Sequence, residues 1–241
     1  MNIIRVKDYE EMSEKASSIV AERMAHLKNP VLGLATGSTP EGLYQKLIAK
    51  NNRNEISFKD TTTFNLDEYV GLEKTDPNSY HFYMNNKLFS HIDIAAEQTH
   101  VPNGAASDAG KECKDYEELI RKNGNIDLQL LGLGLNGHIG FNEPGTPSSS
   151  RTHIVELDES TRNANARFFN SMDEVPTKAI TMGIETIMES KEILLLVSGE
   201  NKAGAVERLI NGEISEDFPA SILQNHDRVT IIADEAALSR M

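Results

Sequence analysis

Residues 131 to 144 read Leu-Gly-Leu-Gly-Leu-Asn-Gly-His-Ile-Gly-Phe-Asn-Glu-Pro and follow directly on the apolar run from Ile126. An imidazole, a carboxylate and two amides thus share one glycine-punctuated loop. Imidazole takes up and returns a proton near neutral pH, so His138 is a candidate proton carrier, with Glu143 or Asn136 to fix its tautomer. Glu143, followed by Pro144, could equally serve only to close the loop. Gly132, Gly134 and Gly137 read as places where the chain turns in ways other residues would resist. The other histidines, at 26, 81, 91, 100, 153 and 226, read as surface or helix-packing residues. None of them has the i,i+4 partner of a zinc-binding helix, so no metal is expected.

Two further segments could contribute chemistry. Asp67 ends the run Thr63-Phe64-Asn65-Leu66, so its carboxylate is expected to leave a buried strand for a partly desolvated crevice. Desolvation raises the pKa of a carboxyl group and makes it a stronger base. A solvated turn acid is the plainer alternative, and the adjacent Glu68 could be the exposed member of the pair. The segment Thr36-Gly37-Ser38-Thr39-Pro40 offers a glycine turn, two hydroxyls and a proline at the start of a helix. The free N–H groups and positive dipole end of such a helix suit a phosphate. An ordinary Ser/Thr helix cap explains the same residues. Neither the Walker spacing nor G-x-G-x-x-G is met, so a nucleotide is not implied.

These loops need a frame. Apolar positions near helical spacing predict a helix over 8–28, stopped by Asn29-Pro30, and others over about 40–48, 78–90, 107–122 and 201–211. Continuous apolar or β-branched runs predict strands at 31–35, 61–66, 126–131, 193–198 and 228–233. Apolar strands alternating with helices imply an α/β fold with a largely parallel sheet covered on both faces. Ligands of such sheets bind outside the carboxyl ends of the strands. Thr36–Thr39, Asp67-Glu68, Asn136–Glu143 and Ser198–Lys202 all follow predicted strands and could open on one crevice.

Composition narrows the class. The chain of 241 residues, 39% hydrophobic, is long enough for a sizeable core and carries no low-complexity linker or internal repeat, so one domain over 1–241 is expected. No apolar stretch approaches the ~20 residues of a bilayer span, and the N-terminus lacks the pattern of a signal peptide. A cytoplasmic protein without membrane contact is the expectation. The net charge of -13 argues against nucleic acid as a partner but not against a small anion bound by local cations. Cys113, the one cysteine, reads as an incidental thiol on a helix.

The strings Gly33–Pro40 (GLATGSTP), Asn65–Tyr69 (NLDEY), Gly137–Pro144 (GHIGFNEP) and Ser198–Ala203 (SGENKA) together resemble the glucosamine-6-phosphate deaminase family, nearly end to end and in the family's order. The resemblance implies a Rossmann-like sugar-phosphate isomerase/deaminase fold. It also implies conversion of glucosamine 6-phosphate and water to fructose 6-phosphate and ammonia, with no cofactor or metal. His138 would open the sugar ring, held by Glu143 and Asn136, and Asp67 would move a proton from C2 to C1. Thr36, Gly37, Ser38, Thr39, Arg167 and Lys202 would bind the phosphate, and residues 157–180 would form a lid. Asn136 stands where many members have Asp; an amide can accept the imidazole N–H but stabilises imidazolium less. Beyond Ser150-Arg151-Thr152 come His153 and Val155 rather than the basic residues of the allosteric hexamers, and the tail to Met241 is short. An unregulated monomer is therefore expected, with a homo-oligomer left open. A 6-phosphogluconolactonase-like hydrolase, or a sugar-phosphate sensor without activity, are the alternatives.

Overall fold

The computed structural model describes residues 1–166, 169 and 171–241. Among these residues ten strands, β1 (Asn2–Val6), β2 (Val31–Leu34), β3 (Thr62–Asn65), β4 (Asp67–Tyr69), β5 (Thr99–His100), β6 (Leu128–Gly132), β7 (His153–Glu156), β8 (Lys178–Thr181), β9 (Ile193–Val197) and β10 (Val229–Asp234), are joined by turns and helices. The α-helices are α1 (Tyr9–His26), α2 (Glu41–Asn52), α3 (Tyr80–Lys87), α4 (Ala109–Lys122), α5 (Glu159–Asn165), α6 (Ile184–Met188) and α7 (Ala203–Asn211). No helix among the described residues is long and apolar enough to cross a membrane.

Seven strands form one all-parallel sheet in the order β1-β10-β9-β6-β2-β3-β5. All five residues of β9, Ile-Leu-Leu-Leu-Val, are buried, as a central strand covered on both faces requires. From β2 the chain builds outward through β3 to β5, then returns to place β6 on the other side of β2. The connections after β2 and β6 therefore part in opposite directions, and that divergence opens a crevice at the strands' carboxyl ends. Asp8, Ser79 and Asp108 cap α1, α3 and α4 through their side-chain oxygens.

The strand and helix readings from periodicity hold, with differences at short elements. A second sheet, β4-β8-β7, is antiparallel and was not foreseen. Its strands are three or four residues long and carry charges, so they lack a continuous apolar run. β4 changes the reading of Asp67, which begins a strand of the small sheet opposite Thr181 rather than a loop. The last residues of the 157–180 segment belong to β8, where Ala179 and Ile180 are buried in this sheet, so the connection between β7 and β8 ends at 177. At the other end of the main sheet, the buried Asp127 carboxylate accepts the Val31 N–H at 2.8 Å and pairs with Lys191 Nζ at 2.6 Å, tying the starts of β2 and β6 together.

Removing that acceptor leaves a buried peptide N–H unpaired. Asp127→Ala is expected to lower unfolding free energy by about 1–3 kcal/mol in a denaturant titration. Lys191→Ala, on the exposed partner, should cost under about 1 kcal/mol. Equal losses would show that the ion pair, not the N–H bond, stabilises this junction.

Candidate active site

The crevice is a cleft of about 870 Å³ lined by Thr36, Gly37, Ser38, Thr39, Asp67, Asn136, His138 and Lys202 among others. Glu143 stands behind His138 and does not line it. Arg167 lies outside the described residues.

Gly37 has a left-handed backbone, φ 97°, and α2 starts only at Glu41, with no side-chain cap on its first turn. The cap expected of Ser38 or Thr39 is thus not made, and both residues face the cleft lining instead. The carbonyls of this loop are taken by tyrosines: Tyr44 Oη donates to Ala35 O at 2.5 Å, Tyr83 Oη to Gly37 O at 2.6 Å and Tyr9 Oη to Ser38 O at 2.9 Å. With those lone pairs satisfied inside the fold, the loop repels an anion less, and the positive end of α2 lies beside it. Lys202 adjoins α7 and its Nζ donates to Leu133 O at 2.6 Å. Burial lowers its pKa, so an anion that compensated the charge would be welcome there.

Asp67 is 6% exposed. Burial, and then the charge of Glu68, raise its pKa to about 8. Tyr69, Tyr80 and Phe141 form an aromatic wall along the cleft, with Tyr69 centred 4.8 Å from Tyr80 and 5.8 Å from Phe141. Glu68 is not the exposed neighbour that adjacency suggested: it is 2% exposed. Its carboxylate accepts the backbone N–H groups of Tyr69, Tyr80 and His81, each at 2.9 Å, and so anchors the first turn of α3. Burial pushes it up to about 7 despite those three bonds. Of the two acids, Glu68 is tied to the backbone while Asp67 opens on the cleft.

The histidine loop is fastened to the small sheet. Thr181 Oγ1 accepts the Phe141 N–H at 3.0 Å, and the buried Asn142 amide donates to Ile139 O and Met182 O. Of the glycines expected to permit turning, only Gly137 is left-handed, φ 86°. Gly134 matters for space: a Cβ there would meet the His138 ring at 2.5 Å. Gly132 shows neither constraint.

His138 Nδ1 lies 3.4 Å from Glu143 Oε2, an ion-pair distance rather than a made hydrogen bond. Asn136 makes no hydrogen bond to the ring of the kind expected. Its Oδ1 accepts the His138 backbone N–H at 3.2 Å and its Nδ2 donates to Glu143 Oε2 at 2.8 Å, so it acts on the imidazole only through the loop and Glu143. Thr161 Oγ1, from α5, donates to Glu143 Oε1 at 2.6 Å, a contact with no local signal in the sequence. Burial alone would raise the Glu143 pKa, but His138, Thr161 and Asn136 together hold it below the ordinary carboxylate value. The pair can therefore carry a proton on imidazole beside a carboxylate that stays ionised. Among the described residues no group of three or more His, Cys, Asp or Glu could hold a metal.

The model of the family described as glucosamine-6-phosphate isomerases/6-phosphogluconolactonase matches residues 7–232. The glucosamine-6-phosphate deaminase of Oceanobacillus iheyensis is 61% identical over 238 residues, 99% of this chain and 95% of that one. Glucosamine-6-phosphate deaminase 1 of Bacillus subtilis is 54% identical over 239 residues, 99% of each chain. A solved monomeric glucosamine-6-phosphate deaminase is 54% identical and superposes with a TM-score of 0.98 over 100% of both chains. The 6-phosphogluconolactonase of Thermotoga maritima, at 18% identity and a TM-score of 0.77 over 97% of this chain and 99% of that one, shares the fold alone. With most of its length matched by the family model and full-length relatives well above half identity, the chain belongs to the glucosamine-6-phosphate isomerase/6-phosphogluconolactonase family.

Proposed function

We propose that this chain is a glucosamine-6-phosphate deaminase, converting glucosamine 6-phosphate and water to fructose 6-phosphate and ammonia in amino-sugar breakdown. The observation that carries this reading is one cleft holding both an imidazole–carboxylate pair and a desolvated carboxyl beside an anion-receptive loop. The phosphate sits against Thr36, Gly37, Ser38, Thr39 and Lys202, with Arg167 as a further cation. His138 takes the proton of the anomeric hydroxyl and returns it to the ring oxygen as that C–O bond breaks, while Glu143 stabilises the imidazolium and Asn136 holds Glu143. Asp67, as carboxylate, removes the C2 proton of the open aldehyde and delivers it to C1 through an enolamine, while O1 gains a proton and the amino nitrogen gives one up. The resulting C2 imine adds water and loses ammonia to leave the ketose. One positioned carboxyl group suffices for both proton transfers.

The connection 157–177 serves as a lid, a reading supported by Thr161 and Phe169 in the cleft lining. The enzyme acts as a cytoplasmic monomer, in keeping with the monomeric relative. Lactone hydrolysis has no enolisation step and so no use for a raised Asp67, which favours the deaminase.

Purified protein incubated with glucosamine 6-phosphate should release ammonia and ketose phosphate in equal amounts. Binding without product would indicate a sensor, and turnover of 6-phosphogluconolactone alone a lactonase. Asp67→Asn should slow C2 proton exchange by about 10²–10⁴-fold with sugar binding largely intact; exchange at the wild-type rate would exclude Asp67 as the base. Lys202→Ala should raise KM about ten- to hundredfold, the range for a hydrogen bond to a charged group. An unchanged KM would remove Lys202 from the phosphate site.

A further inference from the structure

The Glu143 carboxylate is engaged at both oxygens. Oε2 receives Asn136 Nδ2 at 2.8 Å and faces His138 Nδ1 at 3.4 Å. Both partners come from the same short loop and move with it. Oε1 receives the Thr161 hydroxyl at 2.6 Å, and Thr161 comes from another element, α5, between β7 and β8. The two residues are nearly closed to water, Thr161 7% and Glu143 9% exposed. A carboxylate held at one oxygen still turns about its Cγ–Cδ bond, whereas donors at both fix its plane and so the direction of the lone pairs offered to the imidazole. Thr161 is the one residue hydrogen-bonded to Oε1 among those described.

The loop's own composition makes this anchor matter more. Position 136 carries an amide spent on the His138 backbone and on Glu143. Glu143 is thus the one carboxylate within ion-pair distance of the imidazole among the described residues. Any looseness in its plane passes to His138 without a second acid to compensate.

We propose that Thr161 is a positioning residue for ring opening, orienting His138 by locking the plane of the Glu143 carboxylate. The assignment rests on the proposed function insofar as it names the step; the geometry it asserts is open to test without turnover. Thr161→Val keeps the branched shape and removes the donor, and Thr161→Ser keeps the donor.

Each variant is made in the wild-type chain and in Glu143→Gln, and folding is checked by thermal denaturation. Thr161→Val should lower kcat about tenfold, the scale for one hydrogen bond to a charged group, with KM within about twofold. Thr161→Ser should keep most of the rate. In the Glu143→Gln background the Val change should lose most of its effect, because its route is already cut. In parallel, the ¹⁵N shifts of the His138 ring, which report tautomer and hydrogen bonding, should move in the Val variant and stay in place in the Ser variant. The proposal is overturned if Val matches wild type, if Ser is as impaired as Val, if the Val effect persists in full over Glu143→Gln, or if KM moves in place of kcat. A wild-type protein that releases no ammonia refutes the proposed function alone; the ring shifts then decide the role of Thr161.

Discussion

Keeping the Asp67 carboxyl out of water is the constraint around which the cleft is organised. Between β3 and β4 the chain leaves the parallel sheet for the antiparallel one. Both sides of that step are pinned, by Leu66 N–H on Leu34 O and by Met182 N–H on Leu66 O at 2.7 Å. Asp67 follows immediately, opposite Thr181, with the Tyr69–Tyr80–Phe141 wall beside it. A free loop at this point would let water reach the carboxylate and leave it a weak base. A buried strand where the chain passes from one sheet to the other withholds that water, and the cost of ionising there raises the carboxyl's proton affinity.

The same junction positions the other groups. Thr181 pairs with Asp67 in the small sheet and its hydroxyl receives the Phe141 N–H, so the base strand and the histidine loop share one support. Helix α3 makes a second link: its N-terminal N–H groups close on Glu68, while Tyr83, one turn later, holds the Gly37 carbonyl of the anion loop. Lys202 reaches the Leu133 carbonyl at the root of the histidine loop. Displacement of one of these segments is therefore felt by the others through named hydrogen bonds rather than through the cleft.

The middle of the parallel sheet was legible in the sequence because strands such as Ile193–Val197 are unbroken apolar runs, and so was the rule that sends Thr36, Asp67, His138 and Lys202 to the same ends of those strands; the edge strands, Asn2–Val6 with its Arg5 and the two-residue Thr99–His100, show no such run and were not foreseen. The small sheet was not, since Asp67-Glu68-Tyr69 and His153-Ile154-Val155-Glu156 mix polar and apolar side chains without alternation and over too few residues to show a period. Nor was the burial of Glu68 legible: adjacency to Asp67 says nothing of a helix N-terminus twelve residues on. The contact of Thr161 with Glu143 spans eighteen residues and the intervening strand β7, and a threonine in a polar helix carries no pattern that would reveal it. Gly134 had the right residue type for a different reason, room for the imidazole rather than freedom to turn.

The most direct test of the buried base is infrared titration of the ligand-free protein, following the C=O stretch of protonated carboxyl groups. Desolvation raises an acid's pKa, so the proton should remain on Asp67 well above the ordinary carboxylate range and leave as pH passes about 8, with the Glu68 proton lost near 7. The expected result is a band that persists above neutrality and is missing from Asp67→Asn. Complete ionisation of all carboxyl groups by about pH 6, the upper end of ordinary carboxylate titration, with no difference between wild type and Asp67→Asn, would contradict it.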